Sequence, residues 1–336
     1  MIHVQYDTIP LRTLKIQRHD EKKSTINRLS SSTAKIGNNV WTVTSRRFWK
    51  SFFDVLGVSP NILDFFEPIE VIERVIKKKS DIELRFCTEL GENPKLLAVS
   101  NPKKEFITPG KIRSLSETHE FRKTEYNDGI MTLTKTAGKR SEIGPDAFYD
   151  EHVIDVPVDG YGTPSIYLSM LREVCTNGMV ARSNAFRSDI VLDRDNALYS
   201  LDRAMSSFTS KDGYNALRNR LSAAQETMAS LNEAIRLRDR LTPVGQTILE
   251  RATGNINAAY GTANINSISK KKQQVLPVNC TVYDLLNVAS EISTHVVTGN
   301  NAQRLQGWVG SILQEEFDLE GMTKPKSREF REMWAA

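Results

Sequence analysis

Hydrophobic positions early in the chain repeat with the period of an α-helix. Phe48, Phe52 and Leu56 fall on one face of a segment that begins at about Ser45, and Gly57 provides a stop. The sequence therefore predicts a helix here. A second helical stretch is expected to open at residue 60 and to end in a run of three lysines.

The pattern then changes to strict alternation, which is typical of half-buried β-strands. Ile82, Leu84 and Phe86 alternate with polar residues and a cysteine, and the Asn127-Asp-Gly129 tripeptide is a turn signal. Comparable patterns predict further strands at 95–100, 130–136, 152–158, 179–181 and 190–192.

Residues 163–178 show a helical period once more. Thr163-Pro164 suits the start of a helix, and Asn177-Gly178 suits its end. Between them, four apolar positions recur at i, i+3, i+4 and i+7, namely Tyr167, Met170, Leu171 and Val174. We therefore expect a helix whose C-terminal end carries residues 172–179.

The longest periodic segment, 198–241, predicts further helical structure. Within residues 217–235 a heptad seam is formed by Leu217, Leu221, Ala224, Met228, Leu231 and Ile235. Packing of this seam within its own domain is one interpretation, and self-association into a homo-oligomer is the other. Two more helices are predicted at about 281–297 and 301–318.

Together these elements favour an α+β fold, with a central antiparallel sheet at about 80–195 flanked by N-terminal and C-terminal helices. The polar, Ser-rich start predicts an N-terminal arm over residues 1–40, which precedes an α+β core domain at 41–200. A helical region at 201–320 is expected to pack on the core and to contain a flexible polar loop at 253–276. Residues 321–336 are predicted to form a polar tail.

Composition is that of a soluble globular protein, with 39% hydrophobic and 26% charged residues. No apolar run approaches the ~18 residues of a membrane span, and no signal-peptide pattern opens the chain. Three widely separated cysteines, Cys87, Cys175 and Cys280, fit reduced thiols better than a disulfide framework. We therefore expect a cytoplasmic protein that does not insert in a membrane.

The net charge of +4 is concentrated in two zones. Residues 1–60 hold ten Lys and Arg against four Asp and Glu, and residues 201–280 hold eleven against six. Basic zones attract phosphates, which makes single-stranded DNA a candidate partner, although an ordinary solvated surface accounts for the same charges. The candidate nucleic-acid-binding residues are Arg46, Arg47, Trp49, Lys50, Lys77, Lys78, Lys79, Lys270, Lys271 and Lys272.

Two of these groups have a structural alternative. Around Trp49, cations interleave with aromatic side chains, which could form a stacking platform for single-stranded bases. The same stripe is also typical of a helix that buries its aromatic face and exposes a charged back. The lysines 77–79 fall at the expected end of a helix, where cations are favoured by the helix dipole.

Two blocks of the chain resemble one known family. Residues 172–178 match the pattern Arg-x-x-Cys-Thr-Asn-Gly through Arg172, Cys175, Thr176, Asn177 and Gly178. About a hundred residues later, Asn287, Ala289, Glu291 and His295 fit a closing helix, and Ser290 stands where Thr is usual. Over about residues 85–320 the chain resembles a phage- and plasmid-borne family of unknown function, the one numbered 932 among such domains. The resemblance implies a mobile-element origin, and therefore a host cytoplasm, but brings no catalytic residue.

Familiar catalytic patterns are lacking from the sequence. There is no Gly-x-x-x-x-Gly-Lys, no Gly-x-Ser-x-Gly and no His-Glu-x-x-His. Cys175 is expected near the end of a helix, where the dipole opposes a thiolate, so a structural role is favoured over a nucleophilic one. Scattered histidines and the lack of a Cys-x-x-Cys pair argue against a zinc site, and no cofactor is expected.

Three functions are consistent with these features. The first is a non-enzymatic, nucleic-acid-binding accessory protein that handles single strands in replication or recombination. The second is a self-assembling or host-interaction protein, such as a virion component or an anti-defence factor, which the 217–235 seam would serve. The third is an enzyme of an unrecognised type.

Overall fold

A computed structural model describes residues 3–17 and 32–229, with gaps at 38, 145, 174–177, 181–186 and 208–210, then isolated residues between 233 and 240, and residues 281–314. The described chain is built on two β-sheets. The first sheet runs in the order β1-β5-β6-β4-β3-β2. Its strands are β1 (His3–Pro10), β2 (Leu14–Gln17), β3 (Thr33–Ile36), β4 (Thr42–Thr44), β5 (Glu83–Leu90) and β6 (Lys95–Ser100).

The second sheet runs in the order β11-β10-β9-β8-β7, with a short sixth strand, β12, paired to β10. Its pairings are all antiparallel, whereas the first sheet contains one parallel pair, β4 with β6. The strands are β7 (Lys123–Asn127), β8 (Ile130–Ile143), β9 (Asp146–Pro157), β10 (Ser165–Arg172), β11 (Gly178–Val180) and β12 (Arg187–Asp189).

Two helices cover the first sheet. Helix α1 (Arg46–Val55) begins where the Ser45 hydroxyl accepts a hydrogen bond from the Phe48 amide, which satisfies one of the free amides of the first turn. Helix α2 (Pro68–Lys78) follows a short 3-10 turn. Aromatic side chains of α1 pack against apolar residues of β5 and β6, so the predicted helix from about Ser45 is confirmed.

Within the described ranges, five further helices lie around the second sheet, namely α3 (Pro109–Thr118), α4 (Ala197–Ser207), α5 (Lys211–Glu226), α6 (Val282–Glu291) and α7 (Gly299–Gln314). Helices α3 and α4 share one apolar core with β8, β9 and β10. Helices α5, α6 and α7 share another core with residues of β8, β9, β10 and β11.

The heptad seam packs within its own chain. Leu217, Leu221 and Ala224 are fully buried in the core that α5 shares with α6 and α7. The first interpretation of the seam is therefore confirmed for these three residues, which leaves them unable to form an intermolecular coiled coil. Leu231 and Ile235 lie outside the described residues.

The α+β class is confirmed, but one central sheet over residues 80–195 is not found. Residues 83–100 belong to the first sheet and residues 123–189 to the second. The predicted N-terminal arm also needs correction, because β1 pairs along its whole length with β5. Polar composition favours an arm, but it does not reveal that β1 forms hydrogen bonds with β5, about eighty residues further along the chain. The polar loop at 253–276 and the tail at 321–336 fall outside the described residues.

The predicted helix over 163–178 is wrong, because residues 165–172 form strand β10, which lies between β9 and β11 in the second sheet. Its apolar side chains Ile166, Leu168 and Met170 alternate along the chain and enter the two cores. This period of two competes with the helical spacing that also includes Tyr167 and Leu171. The segment forms a strand rather than a helix because β10 pairs with both β9 and β11.

Candidate nucleic-acid interface

The two sheets meet at a buried ion pair. The Arg47 guanidinium, from α1, donates to both carboxylate oxygens of Asp159 and to the backbone carbonyl of Tyr161. The Asp159 side chain is completely buried, and burial raises the pKa of its carboxyl although Arg47 opposes the shift. The Tyr161 amide also donates to Asp159, at 2.9 Å. Arg47 thus fixes the loop after β9 against the first sheet.

Three further contacts hold the same junction. Lys95 pairs with Asp128 at 2.5 Å, and the Tyr126 hydroxyl donates to Glu89 at 2.9 Å. The Tyr6 hydroxyl donates to the carbonyl of residue 158 at 2.7 Å. The turn of the β7–β8 hairpin, which includes Asp128, is therefore anchored to the first sheet.

That hairpin turn has the conformation which its sequence predicts. Asp128 and Gly129 connect β7 to β8 with φ angles of 45° and 84°. Both angles lie in the left-handed region, which two-residue hairpin turns of this kind require and which glycine adopts without strain.

Beside this junction lies an open groove of about 760 Å³ between α1, the β7–β8 turn and the start of α7. Three exposed cations line it: Arg46 and Lys50, one turn apart on α1, and Arg304 on α7. Among the described residues, none of the three has an ion-pair partner. We call these residues the groove cations.

The acidic residues of the groove are engaged with other groups. Asp54 accepts a hydrogen bond from the Tyr161 hydroxyl, and Asp128 pairs with Lys95. The groove cations thus give this surface an excess of positive charge. Neutral amides complete the lining, namely Asn127, Asn300, Asn301 and Gln303.

The stacking platform predicted on α1 is contradicted. Trp49 and Phe53 are 0% and 2% exposed, and the Trp49 indole donates to the Thr44 hydroxyl at 2.9 Å. These rings cannot stack on a base, and the buried aromatic face is the correct interpretation. Of the four candidates on α1, Arg46 and Lys50 face solvent in the groove, while Arg47 is committed to Asp159.

The lysines at the end of α2 do not reach the basic groove. Lys78 and Lys79 line a separate, mostly apolar groove of about 420 Å³ together with Leu56 and Phe66. The Lys79 ammonium donates to the carbonyl of Leu56, the residue that follows α1. This contact is with the end of the neighbouring helix, so the predicted interaction with the dipole of their own helix stays a prediction. The lysines Lys270, Lys271 and Lys272 lie outside the described residues.

The first block of the family resemblance and the helix that carries the second block meet at one carboxylate. Asp146 accepts a hydrogen bond from Arg172 at 2.6 Å and another from the Tyr283 hydroxyl at 2.7 Å. Asn287 lies one turn further along α6. Burial, followed by the hydrogen bond to Asp146, raises the pKa of Tyr283. These two hydrogen bonds connect the end of β10 to α6 through Asp146, which indicates a structural role for Arg172.

The other residues of the two blocks divide into three sets. Gly178 begins β11 and pairs with Leu171, so this part of the block belongs to a strand pair rather than to a helix end. Glu291 ends α6, and His295 lies exposed in the short π-helix Ile292–Val296 that follows. Outside the described residues fall Cys175, Thr176 and Asn177.

Reasoning from sequence missed the contribution of α7 to the groove. Arg304 lies in a segment with few charges, and Asn300 and Asn301 read only as a polar helix start. The Gly299-Asn-Asn301 tripeptide was the available signal for the start of this helix, since asparagine is a preferred N-cap residue. Nothing in a local pattern indicated that this tripeptide lines the same groove as α1.

Within the described part of the chain, no group of three or more His, Cys, Asp or Glu is placed to hold a metal ion. No described helix is both long and apolar enough to cross a membrane. Comparisons with protein families, with curated proteins and with solved structures find no match to this chain. The resemblance to the phage and plasmid family therefore stays a prediction that rests on its two sequence blocks.

Proposed function

We propose that the protein is a non-enzymatic nucleic-acid-binding accessory protein, and that the groove holds the phosphate backbone of a single strand. One observation carries the proposal: Arg46, Lys50 and Arg304 reach the same groove from two helices that are far apart in sequence, without ion-pair partners in the described structure. Unpaired cations on one concave surface are the usual electrostatic footprint of a phosphate backbone. A role in phage or plasmid replication or recombination follows from the family resemblance alone.

The lining of the groove favours contacts that do not depend on sequence. Its cations suit phosphates, its amides can donate to phosphate or sugar oxygens, and its aromatic residues Trp49 and Phe53 are buried. Affinity should therefore come mainly from the phosphates and decrease with salt.

The test is fluorescence anisotropy with a labelled single strand of about 15 nucleotides, the upper range of a site on one small domain. The groove variant replaces Arg46, Lys50 and Arg304 by Ala. The matched control replaces three exposed cations in and just before α3, Lys103, Lys111 and Arg113, and so removes the same charge elsewhere.

The proposal predicts that the groove variant loses at least tenfold in affinity and that the control loses much less. Equal losses would show that net charge alone drives binding, and a parent that binds no strand at low salt would exclude the function.

A further inference from the structure

A second, more enclosed pocket adjoins the basic groove. It has a volume of about 120 Å³ and lies between strands β7–β9 and the start of α7. Asn127 and Gln303 line both the pocket and the groove, so the two cavities share an edge. A single water molecule needs about 10–15 Å³ of such space, so the pocket has room for a planar ring.

The shared edge depends on a close approach of α7 to the β7–β8 hairpin. Gly299, at the start of α7, has a φ of 59°, and a Cβ added there would lie 2.9 Å from the Asn127 side-chain oxygen. A larger residue would strain the backbone and push Asn127 away. The glycine thus allows the wall between pocket and groove to form.

The charges of the pocket cancel in pairs. Arg122 donates to both oxygens of Glu151, at 2.6 and 3.2 Å, and Lys123 pairs with Glu125 at 3.0 Å. The Glu151 side chain is completely buried and also accepts a long hydrogen bond from the Ser169 hydroxyl. Burial raises the pKa of its carboxyl, and Arg122 opposes that shift.

The rest of the lining is mainly neutral and polar. Hydroxyl and amide groups come from both walls, namely Asn127, Thr132, Thr134, Ser293, Thr298 and Gln303. A neutral pocket rich in donors and acceptors suits an uncharged group with a hydrogen-bonding edge, because a charged group would find no unpaired counter-ion. The groove next to it has the opposite character, with unpaired cations.

A nucleotide combines these two characters in one molecule, with an anionic phosphate joined to a neutral, planar, hydrogen-bonding base. We propose that the pocket receives one nucleobase of a single strand whose phosphates lie along the groove cations. This inference rests on the proposed function and adds to it a contact with the base. It also explains how the protein can contact a base although the aromatic residues of α1 are buried.

The test compares two single strands of equal length, one with normal bases and one in which every nucleotide is abasic, so that phosphates are equal in number. Each is titrated against the parent, against Gln306→Phe and against Gln314→Phe. Gln306 lines the pocket from the middle of α7, and a phenyl ring there should fill it. Gln314 is exposed on the same helix and lines neither cavity, so it is the control.

The parent should bind the normal strand about tenfold more tightly than the abasic strand, and Gln314→Phe should keep that ratio. In Gln306→Phe the ratio should fall to about one, with the abasic strand bound as tightly as by the parent. A parent that binds both strands equally overturns the inference but leaves the proposed function standing, and this comparison needs no variant to fold. A parent preference that survives in folded Gln306→Phe overturns it as well, and a parent that binds neither strand overturns both proposals.

Discussion

Arg46 and Arg47 are neighbours in sequence with opposite roles in the structure, so they provide a matched pair of substitutions. Arg47 is held by the buried Asp159 and by a backbone carbonyl, whereas Arg46 is exposed in the groove. We expect Arg47→Met to destabilise the fold strongly and Arg46→Met to leave it nearly unchanged. Methionine keeps most of the apolar stem and removes the charge.

The magnitude follows from the carboxylate that is left behind. Without Arg47, the fully buried Asp159 loses its cation, and breaking a buried pair in this way costs about 3–5 kcal/mol. Substitution of an exposed side chain such as Arg46 usually changes the free energy of unfolding by less than about 0.5 kcal/mol.

The cost of Arg47→Met should also depend on pH. Burial raises the pKa of Asp159 in the folded state above its ordinary value of 3.8. A carboxyl with a raised pKa favours the folded state below that ordinary value, and the benefit is lost as the pH rises through the folded-state pKa. Arg47→Met removes the contact that opposes this rise, so the Asp159 carboxyl should stay neutral to a higher pH in the variant. The destabilisation by Arg47→Met should then be smaller near pH 4 than at pH 7.

Urea unfolding followed by tryptophan fluorescence measures these differences, because Trp49 is buried beside Arg47 and will report on unfolding of this region. Addition of Asp159→Asn to Arg47→Met should recover part of the loss, since the two residues form one interacting pair. If Arg46→Met and Arg47→Met lower the free energy of unfolding equally, the junction between the sheets does not depend on this pair.

Two more predictions concern the interior. Leu221→Ala should lower the free energy of unfolding by about 2–5 kcal/mol at every protein concentration, because Leu221 is fully buried within its own chain. A melting temperature that rises with protein concentration would instead indicate a role in self-association. Burial, with the nearby charges of Lys135 and His119, lowers the pKa of His152 from its ordinary 6.5 to about 4. Between those pH values the unfolded chain binds more protons than the folded chain, so the free energy of unfolding should fall as the pH decreases from 6.5 to 4. Urea unfolding of the parent and of His152→Gln across that range measures this fall, which should be shallower in the variant.

Local patterns predicted the elements that one segment specifies by itself. The helix after Ser45, the Asp128-Gly129 turn and the helix near residue 282 each carry their own cap or turn residue, and the structure contains all three. The hydrophobic seam at Leu221 indicated a buried face in the same way.

Predictions that needed long-range information were less successful. Whether residues 165–172 form a helix or a strand depends on their partners β9 and β11, since the segment shows both periods. The N-terminal strand β1 depends in the same way on β5. The candidate groove is lined by both α1 and α7, which are far apart in sequence, so Arg304 could be recognised only in the fold.

The central claim, that the groove cations contact phosphates, is tested most directly by the salt dependence of binding to a single strand. Each phosphate contact on a single strand contributes about 0.7 to the slope of log affinity against log salt concentration. With three contacts from Arg46, Lys50 and Arg304, the slope of the groove variant should be shallower than that of the parent by about 2. The variant with Lys103, Lys111 and Arg113 replaced should keep the parent slope. An unchanged slope in the groove variant would contradict the account, because those three cations would then release no counterions on binding.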